Sequence, residues 1–205
     1  MRARIALFED APEPKLSSMI VFIDFEASSL GKHGFPIEVG WAAEDGAEEV
    51  HLIVPAPGWA EWSPEAESIH RIALDTLMRE GTPHDVVAQR MVDILTGHEL
   101  YASAPSWDGQ WLSKLLRAAG LPRHALRLRG SYEIQREAAL AALERGGVPV
   151  GVRRDLLDGI LEPARQAAKA EVPAHRALED ARRELRLWRD VVCQAENVAT
   201  RWAKR

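Results

Sequence analysis

Apolar positions in this chain begin as short dense runs and then settle into helical spacing. Residues 19–25, MIVFIDF, are β-branched and aromatic, bounded by serines and Gly31, which is the pattern of a buried strand. Two further runs, 37–43 (IEVGWAA) and 49–54 (EVHLIV), lie either side of Asp45-Gly46. That dipeptide between apolar runs signals a hairpin, so this pair is expected to be antiparallel. Pro55, Pro57 and Pro64 mark a loop, and short helical pieces follow over 65–80. Behind a cap-like Thr82-Pro83, residues Val86, Val87, Met91, Ile94 and Leu95 form one helical stripe that ends at Gly97. Residues 99–103 (ELYAS) read as a fourth strand, and 106–119 as a helix capped by Ser106 and stopped by Gly120 and Pro122. A short strand near 125–129 and a helix over 132–145 come next, before a break at Gly146-Gly147 and Pro149. A helix over 152–170 kinked at Pro163 and a long Ala-, Leu- and Arg-rich helix from 175 to 200 complete the pattern. Strands first, then alternation, then helices predict an α/β layered domain with a mixed sheet.

The 205 residues are 46% hydrophobic and 28% charged, enough to bury one sizeable core. Residues 19–205 are expected to form that single domain. Residues 1–18, with Pro12, Pro14, Ser17, Ser18 and mixed charge, read as a loosely ordered extension. The longest apolar runs, Met19–Ile23 and Ala138–Leu143, fall far short of a membrane helix of roughly 18 residues, so no membrane association is expected. The N-terminus carries acids and prolines where a signal peptide needs an apolar stretch, and Cys193 is the only cysteine. A lone cysteine excludes an intramolecular disulfide or a multi-cysteine metal site, and both features fit a reducing cytoplasm.

The net charge of −5 argues against a strongly basic nucleic-acid binder, but it hides an asymmetry. Residues 1–110 hold 7 Lys+Arg against 19 Asp+Glu, and residues 111–205 hold 19 against 12. Between Lys114 and Gly130, the residues Lys114, Arg117, Arg123, Arg127 and Arg129 occur with no acid among them. Such a chain can hold metal ions with one half and a polyanion with the other; arginines spread over solvated helix faces would give the same count.

Asp24 and Glu26 end the first strand and, two apart, point to the same face while Phe25 enters the core. Neighbouring carboxylates repel, and a hard divalent cation, Mg²⁺ or Mn²⁺, relieves the repulsion. Asp108 follows the fourth strand in the first turn of a helix, where the helix dipole also favours an acid. His175 and Asp180, five apart, would lie about 140° apart on a continuous helix. They converge only if His175 sits in the loop before the helix, which Pro173 favours.

Together, Asp24-x-Glu26, Asp108 and His175-x4-Asp180 resemble the signature of the DEDDh (DnaQ-like) 3′→5′ exonucleases of the ribonuclease H-like superfamily. That family includes polymerase proofreading subunits, oligoribonuclease and ribonuclease T. The resemblance runs from Met19 to Val192. Ile23–Leu30 looks like the first motif, Pro36–Gly40 the second-strand motif and His175–Ala181 the third; Ile69-His70-Arg71-Ile72 resembles an Ile-His-Gly-Ile segment found before the second. Many relatives carry His-Asn shortly before the middle aspartate, where this chain has Ser103-Ala104-Pro105-Ser106-Trp107, so the match speaks more to reaction than to substrate.

The resemblance implies a ribonuclease H-like domain with a central mixed five-stranded sheet, its second strand antiparallel, flanked by helices. It implies two-metal-ion hydrolysis of the last phosphodiester at the 3′ end of single-stranded DNA or RNA, releasing nucleoside 5′-monophosphates. Asp24, Glu26, Asp108 and Asp180 would hold two Mg²⁺ or Mn²⁺ ions, with His175 as general base. Ser28, Ser29 and Leu30 would lie under the terminal nucleotide, Leu30 packing on its base, or form a plain turn. His70 is a further substrate-binding candidate, or a packing histidine. Glu38 would support the site from the second strand, or simply be a satisfied strand acid. Trp107 and Trp111, four apart on one helix face, suit core packing better than base stacking. An oligoribonuclease-like enzyme confined to short RNA, and a non-catalytic nucleic-acid-binding module on the same fold, are the alternatives; five filled catalytic positions favour an exonuclease. A homodimer is compatible with the sequence.

Overall fold

The computed structural model describes residues 18–204. The expected extension therefore lies outside the described residues, apart from Ser18. In chain order the elements are β1 (Ile20–Ala27), β2 (Pro36–Ala43), β3 (Glu48–Val54), α1 (Pro64–His70), α2 (Leu74–Glu80), β4 (Thr82–Pro83) and α3 (His84–Leu95). There follow β5 (Glu99–Ala102), α4 (Pro105–Ala118), β6 (Leu128–Gly130), α5 (Ser131–Arg145), α6 (Val150–Ala170) and α7 (Ala177–Trp202). No helix among the described residues is long and apolar enough to cross a membrane.

The six strands form one mixed sheet in the order β4-β3-β2-β1-β5-β6. β2 pairs antiparallel with both β1 and β3, while β5 runs parallel to β1, β6 to β5 and β4 to β3. The layered fold and its antiparallel second strand are as expected, with six strands instead of five. The added strand is Thr82-Pro83, which pairs with Ile53 and Val54 before α3 begins. Proline lacks an N–H and suits such an edge position. One helix detail also differs. α4 starts on Pro105, with Ala104 rather than Ser106 at its cap and no side-chain hydrogen bond there; proline is pre-organised for a first turn. α6 runs through Pro163 as one helical segment.

Strand alternation sorts the core into two layers. On one face, Val21, Ile23, Phe25, Val39 and Trp41 pack against Val87, Met91 and Leu95 of α3 and Trp111, Leu112, Leu115 and Leu116 of α4. On the other, Phe22, Ala42 and Tyr101 meet Ile134 of α5 and Ala181 and Leu185 of α7. Asp24 and Glu26 continue the Phe22 row, so β1 delivers both acids to the α7 face. A further cluster, including Leu143, Leu157, Ile160, Leu161 and Val191, binds α5, α6 and α7 to one another.

The approach of α7 to the sheet depends on Gly40. This residue is the register partner of Asp24 on β2. A Cβ there would lie 2.6 Å from Leu178 Cα and 2.7 Å from the Ala177 carbonyl carbon, backbone atoms that cannot rotate away. Gly40→Ala is expected to push α7 off the sheet and cost about 1–3 kcal/mol, the usual range for overpacking. Gly159→Ala, on an exposed face of α6 with no atom within 4 Å of the new methyl, should instead stabilise by about 0.5–1 kcal/mol. Thermal melting of the two variants beside the parent checks both signs.

Candidate active site

Three carboxylates converge where β1 meets α7. Asp24, Glu26 and Asp180 each offer an oxygen, and the three oxygens lie within 4.8 Å of one another. Asp180 sits in the first turn of α7, close to its positive end. His175 lies outside that helix, in the loop before Ala177, as its spacing from Asp180 required. Its backbone is left-handed, with φ at 54°. A non-glycine residue pays a modest energy for that conformation and holds it only when its surroundings enforce it.

Two sets of contacts enforce it. The Ala174 N–H donates to Asp180 Oδ1 at 3.1 Å, tying the loop back to the helix. Glu38 on β2, only 1% exposed, accepts from Arg176 through Nε at 3.2 Å and Nη2 at 2.6 Å. The same carboxylate accepts the Ala177 N–H at 2.9 Å. A buried carboxylate held by a guanidinium fork and a backbone amide is satisfied and rigid. Glu38 therefore ties the residues on the C-terminal side of His175 to the second strand.

Asp108 completes the acidic face from the first turn of α4, just past the end of β5. It is 4% exposed, and its Oδ2 is buried with no hydrogen-bond partner. Burial raises its pKa to about 7, against the pull of the nearby Ala104, Phe25 and Asp108 amides. Glu26 is raised to about 8, first by burial, then by Asp180 and Glu38, with Arg176 opposing. Asp24 is pushed well above the usual carboxylate range by burial and by the charges of Asp108, Glu26 and Asp180. A fifth acid belongs to this field. Glu184, one turn beyond Asp180 on α7, is raised by burial and contributes to the shifts of both Asp24 and Asp108. Its signal in the sequence was the i,i+4 spacing from Asp180, which shares a helix face.

The donor set is all oxygen, carries excess negative charge and includes an orphaned buried oxygen on Asp108. These features fit a hard divalent cation and suit neither zinc nor a soft metal.

The remaining sequence candidates sort into structural and exposed groups. Ser28 is buried, and its Oγ accepts the Phe35 N–H at 3.1 Å. The Ser29 hydroxyl donates to Glu61 and accepts the Gly31 N–H at 3.0 Å. Both serines are thus engaged in the turn after β1, which leaves Leu30, 70% exposed, to face outward from it. His70 is buried; its Nδ1 accepts the Ile72 N–H at 3.1 Å while Nε2 has no partner. Burial lowers its pKa, with the nearby Glu67 and Glu38 opposing. Trp111 enters the core, and the exposed Trp107 stacks on it at 6.1 Å between ring centroids.

The acid-free segment is likewise divided. Lys114 donates to the His33 and Gly34 carbonyls and lies 5.8 Å from the Trp59 ring centre. Arg129 is paired with Glu133 and Glu137 and donates to the Tyr101 hydroxyl. Arg117 donates to the Ser113 carbonyl of its own helix. Arg123 and Arg127, with His124 between them, line a cavity of about 430 Å³ beside α4.

With this geometry in view, comparison with solved structures is informative. An E. coli exonuclease I in complex with a dT13 oligonucleotide superposes with a TM-score of 0.50 at 16% identity, covering 58% of this chain and 29% of that one. Exonuclease I from Methylocaldum szegediense gives 0.51 at 13% identity, with 58% and 29% covered. An exonuclease I without ligand gives 0.51 at 18%, with 62% and 31% covered. The fold is shared with exonuclease I. It is ribonuclease H-like, as the motifs implied. The chain spans less than a third of the length of these exonuclease I chains. No family model and no curated protein sequence matches the chain significantly.

The raised carboxyl pKa values set the sign of a pH effect. Glu26 and Asp108 bind protons more tightly folded than unfolded, so their contribution to stability is full below the ordinary carboxylate range. It is lost as the pH rises through about 7 and about 8. In chelator, the melting temperature should therefore fall between about pH 5 and about pH 8, and fall less for Glu26→Gln. Mn²⁺ should raise the parent's melting temperature most at the alkaline end. A flat profile in chelator, identical for parent and variant, would contradict the raised values.

Proposed function

We propose that this protein is a metal-dependent 3′→5′ exonuclease that releases nucleoside 5′-monophosphates from single-stranded DNA or RNA. The observation that carries the reading is the convergence of Asp24, Glu26 and Asp180, with Asp108 outside that group but close enough for its charge to raise Asp24, and His175 in the loop tied to Asp180. The shared fold with exonuclease I supports it, since one of those structures is a complex with a single-stranded oligonucleotide.

Asp24, Glu26, Asp108 and Asp180 would hold two divalent ions, Mg²⁺ or Mn²⁺. Ions held there would supply a Lewis acid at the scissile phosphate and offset the charge building on the leaving 3′-oxygen. The chain's own residues then do three things. The carboxylates, fixed on a strand and two helix N-termini, set where the phosphate can sit. His175 takes the proton from the attacking water, with its backbone held by the Asp180 and Glu38 contacts on either side. Leu30, projecting from the Ser28–Ser29 turn, offers an apolar surface to the terminal base. His70, with its Nδ1 engaged by the Ile72 N–H, is the further candidate for a contact with the terminal nucleotide.

Asp24→Ala is expected to abolish mononucleotide release while the fold persists, with stability in chelator unchanged or slightly higher because crowded carboxyls are relieved. His175→Ala should retain Mn²⁺ binding yet slow turnover by ~10²–10⁴-fold. Chromatography of the products from matched DNA and RNA strands, with and without EDTA, reads both. Near-normal release by folded Asp24→Ala would sink the assignment.

Substrate grip gives an independent check. An acidic centre repels the phosphates beyond the scissile bond, and Arg123 and Arg127, neither paired with a carboxylate among the described residues, line one cavity beside α4. Reversing both should raise KM with kcat little changed, and flatten the log-affinity against log-salt slope by roughly 1.4, about 0.7 per lost contact. An unchanged slope would return these arginines to the role of solvated surface residues.

A further inference from the structure

The connection between β1 and β2, residues 28–35, is held by two charged side chains from outside it. It leaves β1 two residues after Glu26 and rejoins the sheet at Pro36, the register partner of Ala27. Its base is closed by the Ser28 N–H donating to the Phe35 carbonyl at 2.9 Å and the Phe35 N–H to Ser28 Oγ. Its tip, residues 30–33, is exposed throughout and has no apolar core of its own. Glu61, in the loop before α1, accepts the Ser29 hydroxyl and the His33 N–H, the latter at 3.2 Å. The Glu61 carboxylate fills the space into which a Cβ on Gly31 would project. Lys114, on α4, donates to the His33 and Gly34 carbonyls. His33 is thus gripped at both ends of its backbone, by a carboxylate at its N–H and an ammonium at its C=O.

The fold alone does not call for this arrangement. Burial pulls the Lys114 pKa below its usual value, so its ammonium has lost part of its hydration. That ammonium lies 5.8 Å from the ring centre of Trp59, which stacks on the buried Phe35 at 5.3 Å. An apolar side chain in the same seat would pack on Trp59 without the desolvation. The ammonium instead serves two carbonyls of the turn. What the tip presents to solvent is Leu30, 70% exposed and four residues beyond Glu26. A leucine so exposed contributes little burial to the fold. Held at a fixed place just past the carboxylates, it is a pre-formed surface for a flat apolar ring such as a nucleobase. A turn that is already rigid pays no ordering cost when the ring arrives.

We propose that Glu61 and Lys114 are positioning residues for base recognition: they hold the turn so that Leu30 meets the base of the terminal nucleotide, and neither touches the strand itself. This rests on the exonuclease reading for the presence of a 3′-terminal nucleotide at the carboxylates. Lys114 lies six residues after Asp108 on α4, so the turn is tied to the helix that bears the fourth acid. The base contact and that acid are thereby set on one frame. Lys114 then differs in kind from a phosphate contact. Its removal weakens recognition of the base, which the loss of a phosphate contact leaves intact.

The test compares two short fluorescent single strands with a non-hydrolysable terminal linkage, in Mg²⁺, one intact and one abasic at the 3′-terminal nucleotide. Anisotropy titrations of the parent should show about tenfold tighter binding of the intact strand, the scale of one buried leucine contact. Leu30→Ala should bind both strands alike. Lys114→Met, which keeps the length of the side chain and removes the ammonium, should lose most of that ratio although Leu30 is intact. Lys114→Arg, which can still donate to both carbonyls, should keep it. The ratio decides, because a lost positive charge by itself weakens both strands equally and leaves the ratio unmoved. Glu61→Gln acts from the other side of the turn, should also lower the ratio, and serves if Lys114→Met melts early. A parent-like ratio in either folded variant overturns the proposal, and so does a parent that binds both strands alike. Mononucleotide release from an unmodified strand is read separately. Release with an unmoved ratio removes only the positioning role. A Lys114-dependent ratio without any release keeps the turn as a base contact and removes the exonuclease reading.

Discussion

Everything at the candidate site depends on how closely α7 can approach the sheet. The first turn of α7 rests on the backbone of Gly40, directly across from Asp24, with no side chain between them. Two residue pairs away on the same strands, Glu38 grips Arg176 and the Ala177 amide, which fixes the helix start in depth and in rotation. The missing side chain lets the helix in, and the buried carboxylate holds it there. Asp180 meets Asp24 and Glu26 only because both conditions are met on alternate positions of β2, which share a face.

That proximity is unfavourable in itself. Four acids, and a fifth in Glu184, are brought together where burial already penalises charge. The hydrophobic clusters on both faces of the sheet supply the opposing stabilisation, since nothing at the site does so in the absence of cations. Arg176 is the nearest counter-charge, yet it is engaged by Glu38 and only partly offsets Glu26. Carboxyl groups so crowded that burial and mutual repulsion raise their pKa values mark a candidate functional site.

Much of this was legible in the sequence because it is local. Strand alternation put Asp24 and Glu26 on one face. Helical periodicity showed that His175 had to precede the helix bearing Asp180, and Pro173 gave the reason. The layered fold followed from the order of strand and helix patterns. What was not legible depends on distant partners. Nothing near Arg176 announces that its guanidinium will reach a strand far back in the chain, or that Lys114 and Arg129 will be engaged by carbonyls and glutamates. Thr82-Pro83 carries too few residues to read as a strand until β3 lies beside it. Ser106 looked like a cap because serine caps well, but Pro105 begins the helix one residue earlier. Glu184 was readable in principle, from the shared face with Asp180, but an acid on a long charged helix does not stand out.

The clamp between Glu38 and Ala177 spans 139 residues of chain. Contacts of such sequence separation form late in folding, because the closure entropy of the intervening loop must be met first. A ribosome that has released β1 through α6 has therefore made Asp24, Glu26 and Asp108 and the whole described sheet, but neither His175 in its final conformation nor Asp180. The groups that would perform hydrolysis assemble only when α7 docks. During synthesis the nascent chain thus carries no finished acidic cluster until its fold is nearly closed.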